Sequence, residues 1–345
     1  MKSSELSFNR DVISVIRSAI GTMHNFPESR AALTGALAHM PAAARRRGTW
    51  RRKDVVVPPL LIVSTTEKCN LNCAGCYAKD TVAAGKEATR AQIDVLLGQA
   101  ADAGCSVILL AGGEPLLSMH WLSAVASRPE FLGLVFTNGT LLDDEAARWF
   151  ADNRNMIPLL SVEGNSRMTD ARRGAGVAGL VEKAVGLLSQ RNIPLGLSVT
   201  TGEHNIDEVA RYSFISPFVE SGGFLFIFTE YVPVDDSAPL YILSEESKKR
   251  LQTFCLETSK ENKLISLSFP GDESKFDGCL AAGRGFAHIS ASGSLEPCPF
   301  APASDRNVFE TSLIDALSSP LFKRIRSESH LLRENAGGCA LRGRV

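Results

Sequence analysis

Three cysteines fall within eight residues of one segment, Lys68-Cys69-Asn70-Leu71-Asn72-Cys73-Ala74-Gly75-Cys76-Tyr77. Thiolates are the soft ligands that iron–sulfur clusters use. Three of them are one short of the four irons of a cubane. The fourth iron would stand open to a substrate, which suits chemistry better than electron storage. A second segment, Gly112-Gly113-Glu114-Pro115, lies about 40 residues further on. Two glycines let backbone approach a ligand closely and present carbonyl oxygens to a cation. Glu114 adds a negative charge, and Pro115 stiffens the turn.

These segments need a frame that brings them together. From Pro58 onward, short apolar runs alternate with amphipathic stretches: Leu60–Val63, Val107–Leu110, Leu134–Phe136, Ile157–Val162, Ile193–Val199 and Phe224–Phe228. Each has strand length and is bounded by Gly, Pro or polar residues. Between them, Ile93, Leu96, Leu97 and Ala100 follow helical spacing, with Gly104 as a stop. Asp143 suits an N-cap, and Val177, Val181, Ala184, Val185 and Leu188 form another helical stripe. Six strands alternating with helices predict a parallel α/β sheet, a partial (β/α)6 TIM-like barrel, with functional residues at the carboxyl ends of its strands. The cysteine loop, the Gly112 turn, Thr137-Asn138-Gly139 and Ser161-Val162-Glu163-Gly164 follow the first four strands in turn.

The spacing C-x3-C-x2-C, followed by the Gly112–Pro115 turn, resembles the signature of the radical S-adenosylmethionine superfamily over residues 56–235. The resemblance implies an enzyme in which Cys69, Cys73 and Cys76 hold a [4Fe–4S] cluster. Its open iron would bind the methionine moiety of S-adenosylmethionine, and reductive cleavage would give a 5′-deoxyadenosyl radical that abstracts a substrate hydrogen. It also implies that Gly112, Gly113, Glu114 and Pro115 hold the methionine amino group, that Asn138 and Ser161 lie against the cofactor, with Ser161 on the ribose, and that Arg172 or Arg173 pairs with the methionine carboxylate. No catalytic side chain is expected beyond these cofactor ligands. One departure is visible. The superfamily usually carries an aromatic residue just before the third cysteine, where this chain has Gly75; Tyr77 or backbone is expected to hold the base instead.

Beyond Tyr231 the alternation is expected to stop. Ser244–Lys260 reads as one helix, Leu264–Phe269 and Gly285–Ser290 as short strands, and Ser292-Gly293-Ser294 as a hairpin turn into Leu295–Cys298. A last helix is expected from Ser312 to Arg326. The predicted organisation is a helical extension at 1–55, the core at 56–235 and a smaller α+β unit at 236–345. Cys279, with Gly293 and Cys298 at spacing C-x13-G-x4-C, and Cys339 after Gly337-Gly338 resemble the auxiliary-cluster domain of the SPASM and twitch enzymes. The later C-x2-C-x5-C-x3-C run of the fuller form is absent. The resemblance implies the shorter form with a second cluster on Cys279, Cys298 and Cys339, or a chain cut short at Val345. Such enzymes act on peptides, tetrapyrroles and small metabolites and draw electrons from a reductant such as flavodoxin or ferredoxin.

The remaining residues carry less. Cys105 and Cys255 read as core, and His204 and His288 as a turn and a satisfied, partly buried histidine; no Ser/His/Asp pattern is visible. The runs Arg45-Arg46-Arg47 and Arg51-Arg52-Lys53 read as a solvated helix end and linker. The 345 residues carry a net charge of −1 and 44% apolar residues. This gives no pull toward nucleic acid or an anionic membrane, and no apolar run reaches bilayer length. Met1–Arg17 lacks a secretory pattern, so a cytoplasmic, oxidoreductase-like enzyme is expected. Two other readings remain open. A closed iron–sulfur electron carrier would want four protein ligands per cluster, and a zinc-binding structural module would need a fourth ligand beside the three thiols.

Overall fold

The computed structural model describes residues 3–79, 87–233, 241–261, 264–270, 276–333 and 339–345, without the side chains of 3–11. In chain order the elements are α1 (Ser3–Thr22), α2 (Pro27–Arg51), β1 (Leu60–Ser64), α3 (Arg90–Ala103), β2 (Val107–Ala111), α4 (Met119–Ala126), β3 (Leu132–Thr137), α5 (Asp144–Asp152), β4 (Met156–Val162), α6 (Ser166–Arg173), α7 (Val177–Gln190), β5 (Leu195–Thr201), α8 (Ile206–Val209), α9 (Tyr212–Glu220), β6 (Gly223–Glu230), α10 (Glu245–Glu261), β7 (Ile265–Phe269), β8 (Phe286–Ile289), β9 (Leu295–Glu296), α11 (Leu313–Leu317) and α12 (Pro320–Ser327).

The six expected strands form, in consecutive order, a parallel partial barrel whose outer face packs on the helices. Local signals act as read. Thr89 and Gln92 make a reciprocal capping box at the start of α3, and Gly104 ends it in the left-handed region at φ 105°. The Asp143 side chain accepts from the N–H groups of Glu145 and Ala146 at the start of α5. Cys105 and Cys255 are buried in the core as expected, and burial pushes the Cys105 thiol up to about 12.

Three expectations need correction. The alternation does not stop at Tyr231: α10 leads into β7, which pairs in parallel with β6. β8 pairs in parallel with β1, so the C-terminal segment extends both ends of one nine-stranded sheet rather than building a sheet of its own. Among the described residues the sheet stays open, although Phe269 of β7 and Phe286 of β8 meet edge-on with ring centroids 5.4 Å apart. The last helix is two helices. Pro320 lacks the N–H that would continue α11, and Ser319 caps α12 through the N–H of Phe322. The first basic run is not a solvated end. Arg47 is buried and donates to the Gly104 carbonyl, and Arg46 donates to Ala101 O at 2.9 Å. Two cations on the C-terminal carbonyls of α3 fasten α2 to the barrel.

The hairpin α1–α2 also meets the concave side of the sheet. Ile16, Ala19, Met23 and Leu33 share an apolar cluster with Val107, Leu132, Ile157, Phe224 and Ile265. Each of those five stands at the first or second position of its strand. The hairpin therefore closes the bottom of the barrel and leaves the carboxyl ends of the strands as its mouth.

Candidate active site

The cysteine loop leaves β1 at the mouth. Cys69 is exposed, and Cys73 and Cys76 are half-buried. All three line one cavity with Gly112, Gly113, Glu114, Asn138, Ser161, Arg172 and Arg173. The expected site residues after four different strands thus meet in one place.

The Gly112 turn is bonded onto the lead-in of the cysteine loop. Gly113 N–H donates to Thr66 O and Glu114 N–H to Lys68 O, both at 2.8 Å. A Cβ on Gly113 would lie 1.9 Å from Lys68 O, so only glycine permits this approach. Glu114 is buried and binds the next strand end. Thr137 Oγ1 donates to its Oε1 at 2.6 Å and Asn138 N–H to its Oε2 at 2.8 Å, while Leu116 N–H donates to Oε1 at 3.0 Å. Burial raises its pKa, and those hydrogen bonds oppose the rise. Asn138 in turn donates from Nδ2 to Asn70 Oδ1 at 2.9 Å and toward Cys69 Sγ at 3.9 Å. Such outer contacts orient a ligating thiolate and tune what it binds. Pro115 opens a short 3-10 turn, as a first-turn proline can.

Ser161 sits half-buried at the end of β4, in register with Ser198 of β5. Arg172 and Arg173 both turn to Glu163: its Oε1 accepts from Arg172 Nη1 at 2.6 Å and from Arg173 Nε at 2.8 Å. Glu163 is fully buried, and its Oε2 has no hydrogen-bond partner among the described residues. A ligand donor reaching this corner would find an unused acceptor beside two guanidiniums.

Tyr77 follows the third cysteine, lines the cavity and packs edge-on against Phe300 at 5.1 Å. Burial raises its pKa, with further contributions from Cys76 and Cys298, and a hydrogen bond to the Gly112 backbone opposes them. A second aromatic was missed in the sequence. Tyr231, just past β6, lies against the gap left by Gly75: a Cβ there would be 2.6 Å from Tyr231 Oη. Gly75 stands at φ +59°, so the loop both turns and makes room at that residue. The space beside the third cysteine is therefore filled by an aromatic from another strand end. The strand-end rule that located the motifs also points to Tyr231.

Two of the C-terminal cysteine loops reach the same cavity, through Leu280 beside Cys279 and Pro299 beside Cys298. Cys279 and Cys298 are buried and Cys339 is half-buried. Cys279 N–H donates to Leu332 O at 2.8 Å and Ala282 N–H to Pro297 O at 3.1 Å. These bonds bring the loops of Cys279 and Cys298 together and toward the segment that leads to Cys339. Gly337 and Gly338 lie outside the described residues.

His288 is the satisfied histidine that the sequence predicts, buried rather than partly buried, and its partners include a carboxylate that sequence spacing does not mark. Its Nδ1 lies 2.7 Å from Glu296 Oε2 and its Nε2 2.8 Å from Ser64 Oγ. The two residues are opposed in the β8–β9 hairpin, so the register, not the sequence spacing, makes the pair. This buried Ser–His–Glu chain ties the end of β1 to the loop that carries Cys298. His204 stacks edge-on with Tyr241 at 4.5 Å.

The donor set fits an iron–sulfur cluster. Three thiols from one loop line the cavity, and in a cluster each thiolate takes its own iron. The Gly113 approach and the unused Glu163 oxygen fit a bound cofactor beside it.

Comparison with known proteins agrees. Residues 63–212 match the Radical SAM superfamily model. The chain is 25% identical over 305 residues to an AdoMet-dependent heme synthase of Methanosarcina barkeri, covering 79% of this chain and 86% of that protein. It is 25% identical over 285 residues to the sporulation killing factor maturation protein SkfB of Bacillus subtilis, covering 80% and 68%. In fold it resembles Streptococcus suis SuiB bound to its precursor peptide SuiA, with TM-score 0.66 and 18% identity over 83% of this chain and 70% of that one. It also resembles anSMEcpe with bound AdoMet, with TM-score 0.62 and 16% identity over 77% and 82%. The match identifies residues 63–212 as a radical SAM domain, of a superfamily whose members are enzymes that use a [4Fe–4S] cluster and S-adenosylmethionine. No helix among the described residues is long and apolar enough to cross a membrane.

Proposed function

We propose that Cys69, Cys73 and Cys76 hold the [4Fe–4S] cluster and that S-adenosylmethionine lies across the strand ends above it. When bound, that cluster supplies the electron that cleaves S-adenosylmethionine to a 5′-deoxyadenosyl radical. The residues of this chain bind and orient. The Gly112–Pro115 turn presents backbone to the methionine amino group, and Arg173, held by Glu163, offers its charge to the carboxylate. Ser161 and Asn138 reach the ribose side, and Tyr77 and Tyr231 close the cysteine loop against water. The observation that carries this reading is that three thiols, the glycine turn and the ends of β3 and β4 line one cavity.

Cys279, Cys298 and Cys339 are proposed to hold an auxiliary cluster, as in the SPASM and twitch enzymes. The bond from Ala282 N–H to Pro297 O, which joins the Cys279 and Cys298 loops, and that from Cys279 N–H to Leu332 O support this. In this reading 1–55 is the floor, 56–235 the core and 236–345 the auxiliary unit. The substrate is a peptide or a tetrapyrrole-type cofactor precursor, as the names of the relatives suggest, and a cytoplasmic flavodoxin or ferredoxin supplies electrons. The test is iron content after anaerobic reconstitution of the triple variant Cys279→Ala, Cys298→Ala, Cys339→Ala. Loss of about half the iron is expected, if both sites hold four irons, with 5′-deoxyadenosine formation retained. Full iron content in that variant removes the auxiliary cluster from the account.

A further inference from the structure

The cavity continues from the cysteine loop down the concave side of the sheet, and its volume of about 470 Å³ includes the mouth assigned above to the cluster and S-adenosylmethionine. That is the size of a small-ligand pocket. Its polar groups lie in two bands. At the mouth, the charged side chains among the described lining residues are Glu114, Arg172, Arg173 and Glu230. Both guanidiniums already face Glu163, so this band sets two cations against three carboxylates. Just beneath it, Ser161 and Ser198 are in register, as are Thr200 and Thr229, giving a band of hydroxyls. Deeper, the described lining is apolar, with Leu109, Phe136, Leu225 and Phe286 on the walls. The floor is α1, through Val12, Val15 and Ala19.

We propose that this shaft is a binding site for an uncharged, apolar group of the substrate, inserted through the mouth and reaching α1, and that it rejects carboxylate-bearing rings. The inference rests on the reading under Proposed function and narrows its substrate class. Two physical terms carry it. Burying apolar surface against the walls favours a hydrocarbon or aromatic group. An ionised carboxylate in the shaft would leave water without gaining a cation, because the described walls below the hydroxyl band are apolar. A neutral side chain of a peptide meets both conditions. A macrocycle carrying several propionates fails the second.

The test compares two probes of one skeleton on the anaerobically reconstituted full chain by equilibrium dialysis: neutral N-phenyl-1-naphthylamine and its sulfonated analogue 8-anilino-1-naphthalenesulfonate. The neutral probe should bind at one site, at least about tenfold more tightly than the sulfonate. Coproporphyrin III, a ring with four carboxylates, should not displace it. Ala19→Phe and Val15→Phe place a ring at the floor, and each should weaken the neutral probe at least about tenfold with iron content and melting temperature retained. Equal binding of the two probes, displacement by coproporphyrin III, or no effect of either floor variant overturns the proposal. The comparison on the unaltered chain needs no variant to fold. Failure of the radical reading is seen separately, as absence of 5′-deoxyadenosine under reduction while the neutral probe still binds.

Discussion

Gly113→Ala tests the coupling between the glycine turn and the cysteine loop. The added methyl carbon would stand 1.9 Å from Lys68 O and 2.5 Å from Lys68 C. Both are backbone atoms, so no side-chain rotation relieves the contact. The turn and the loop must separate by roughly 1 Å or more before the carbon reaches the edge of ordinary contact. That separation stretches the 2.8 Å bond from Glu114 N–H to Lys68 O, one residue before Cys69. A displacement of about 1 Å in a positioned site costs on the order of a hundredfold in rate. The expected result is therefore a fall of that size in 5′-deoxyadenosine formation by the reconstituted enzyme under dithionite. An altered electron paramagnetic resonance signal of the reduced cluster should accompany it, because the loop moves with the turn. Bound iron should remain near that of the unaltered chain, because the three thiols are untouched. Deoxyadenosine formation at the unaltered rate with an unaltered signal would refute the claim that these two segments share one geometry.

Other perturbations follow from the same contacts. Gly75→Ala should weaken cluster assembly, and adding Tyr231→Ala should recover part of it, with a coupling of about 1 kcal/mol in a double-mutant cycle read by iron retention; independent effects would mean that Tyr231 does not fill the gap. Glu163→Gln leaves Arg172 and Arg173 without their carboxylate and should cost about 3 kcal/mol in denaturant unfolding; an unchanged midpoint would show that the pair is not held there. Leu110→Ala, fully buried in β2, should cost about 2–5 kcal/mol by the same measurement, and a smaller loss would mean that the site collapses around the cavity.

The sequence carried the frame of the site because its signals are local. Strand runs, the Asp143 cap, the Gly104 stop and the motifs after each strand depend on neighbours a few residues away. What it did not carry is set by register and distance. His288 meets Glu296 only because the hairpin places them opposite each other, and Ser64 joins them from far away in sequence. Tyr231 reaches Gly75 from the sixth strand. β7 read as part of a separate unit because a short apolar run does not say which edge it joins. Arg47 read as solvated because charge alone does not reveal the carbonyls of α3 beneath it. The engagement of Arg172 and Arg173 by Glu163 was hidden in the same way: the expectation paired an arginine with a ligand, whereas the fold first pairs both with its own carboxylate.

The central claim is that the Cys69, Cys73 and Cys76 loop holds the cluster that cleaves S-adenosylmethionine. The most direct measurement is 5′-deoxyadenosine formed from S-adenosylmethionine under dithionite, by the unaltered chain and by Cys73→Ala, both reconstituted anaerobically. The account predicts steady formation by the unaltered chain and none by Cys73→Ala, with iron lost from the first site. Equal formation by the two proteins would contradict it.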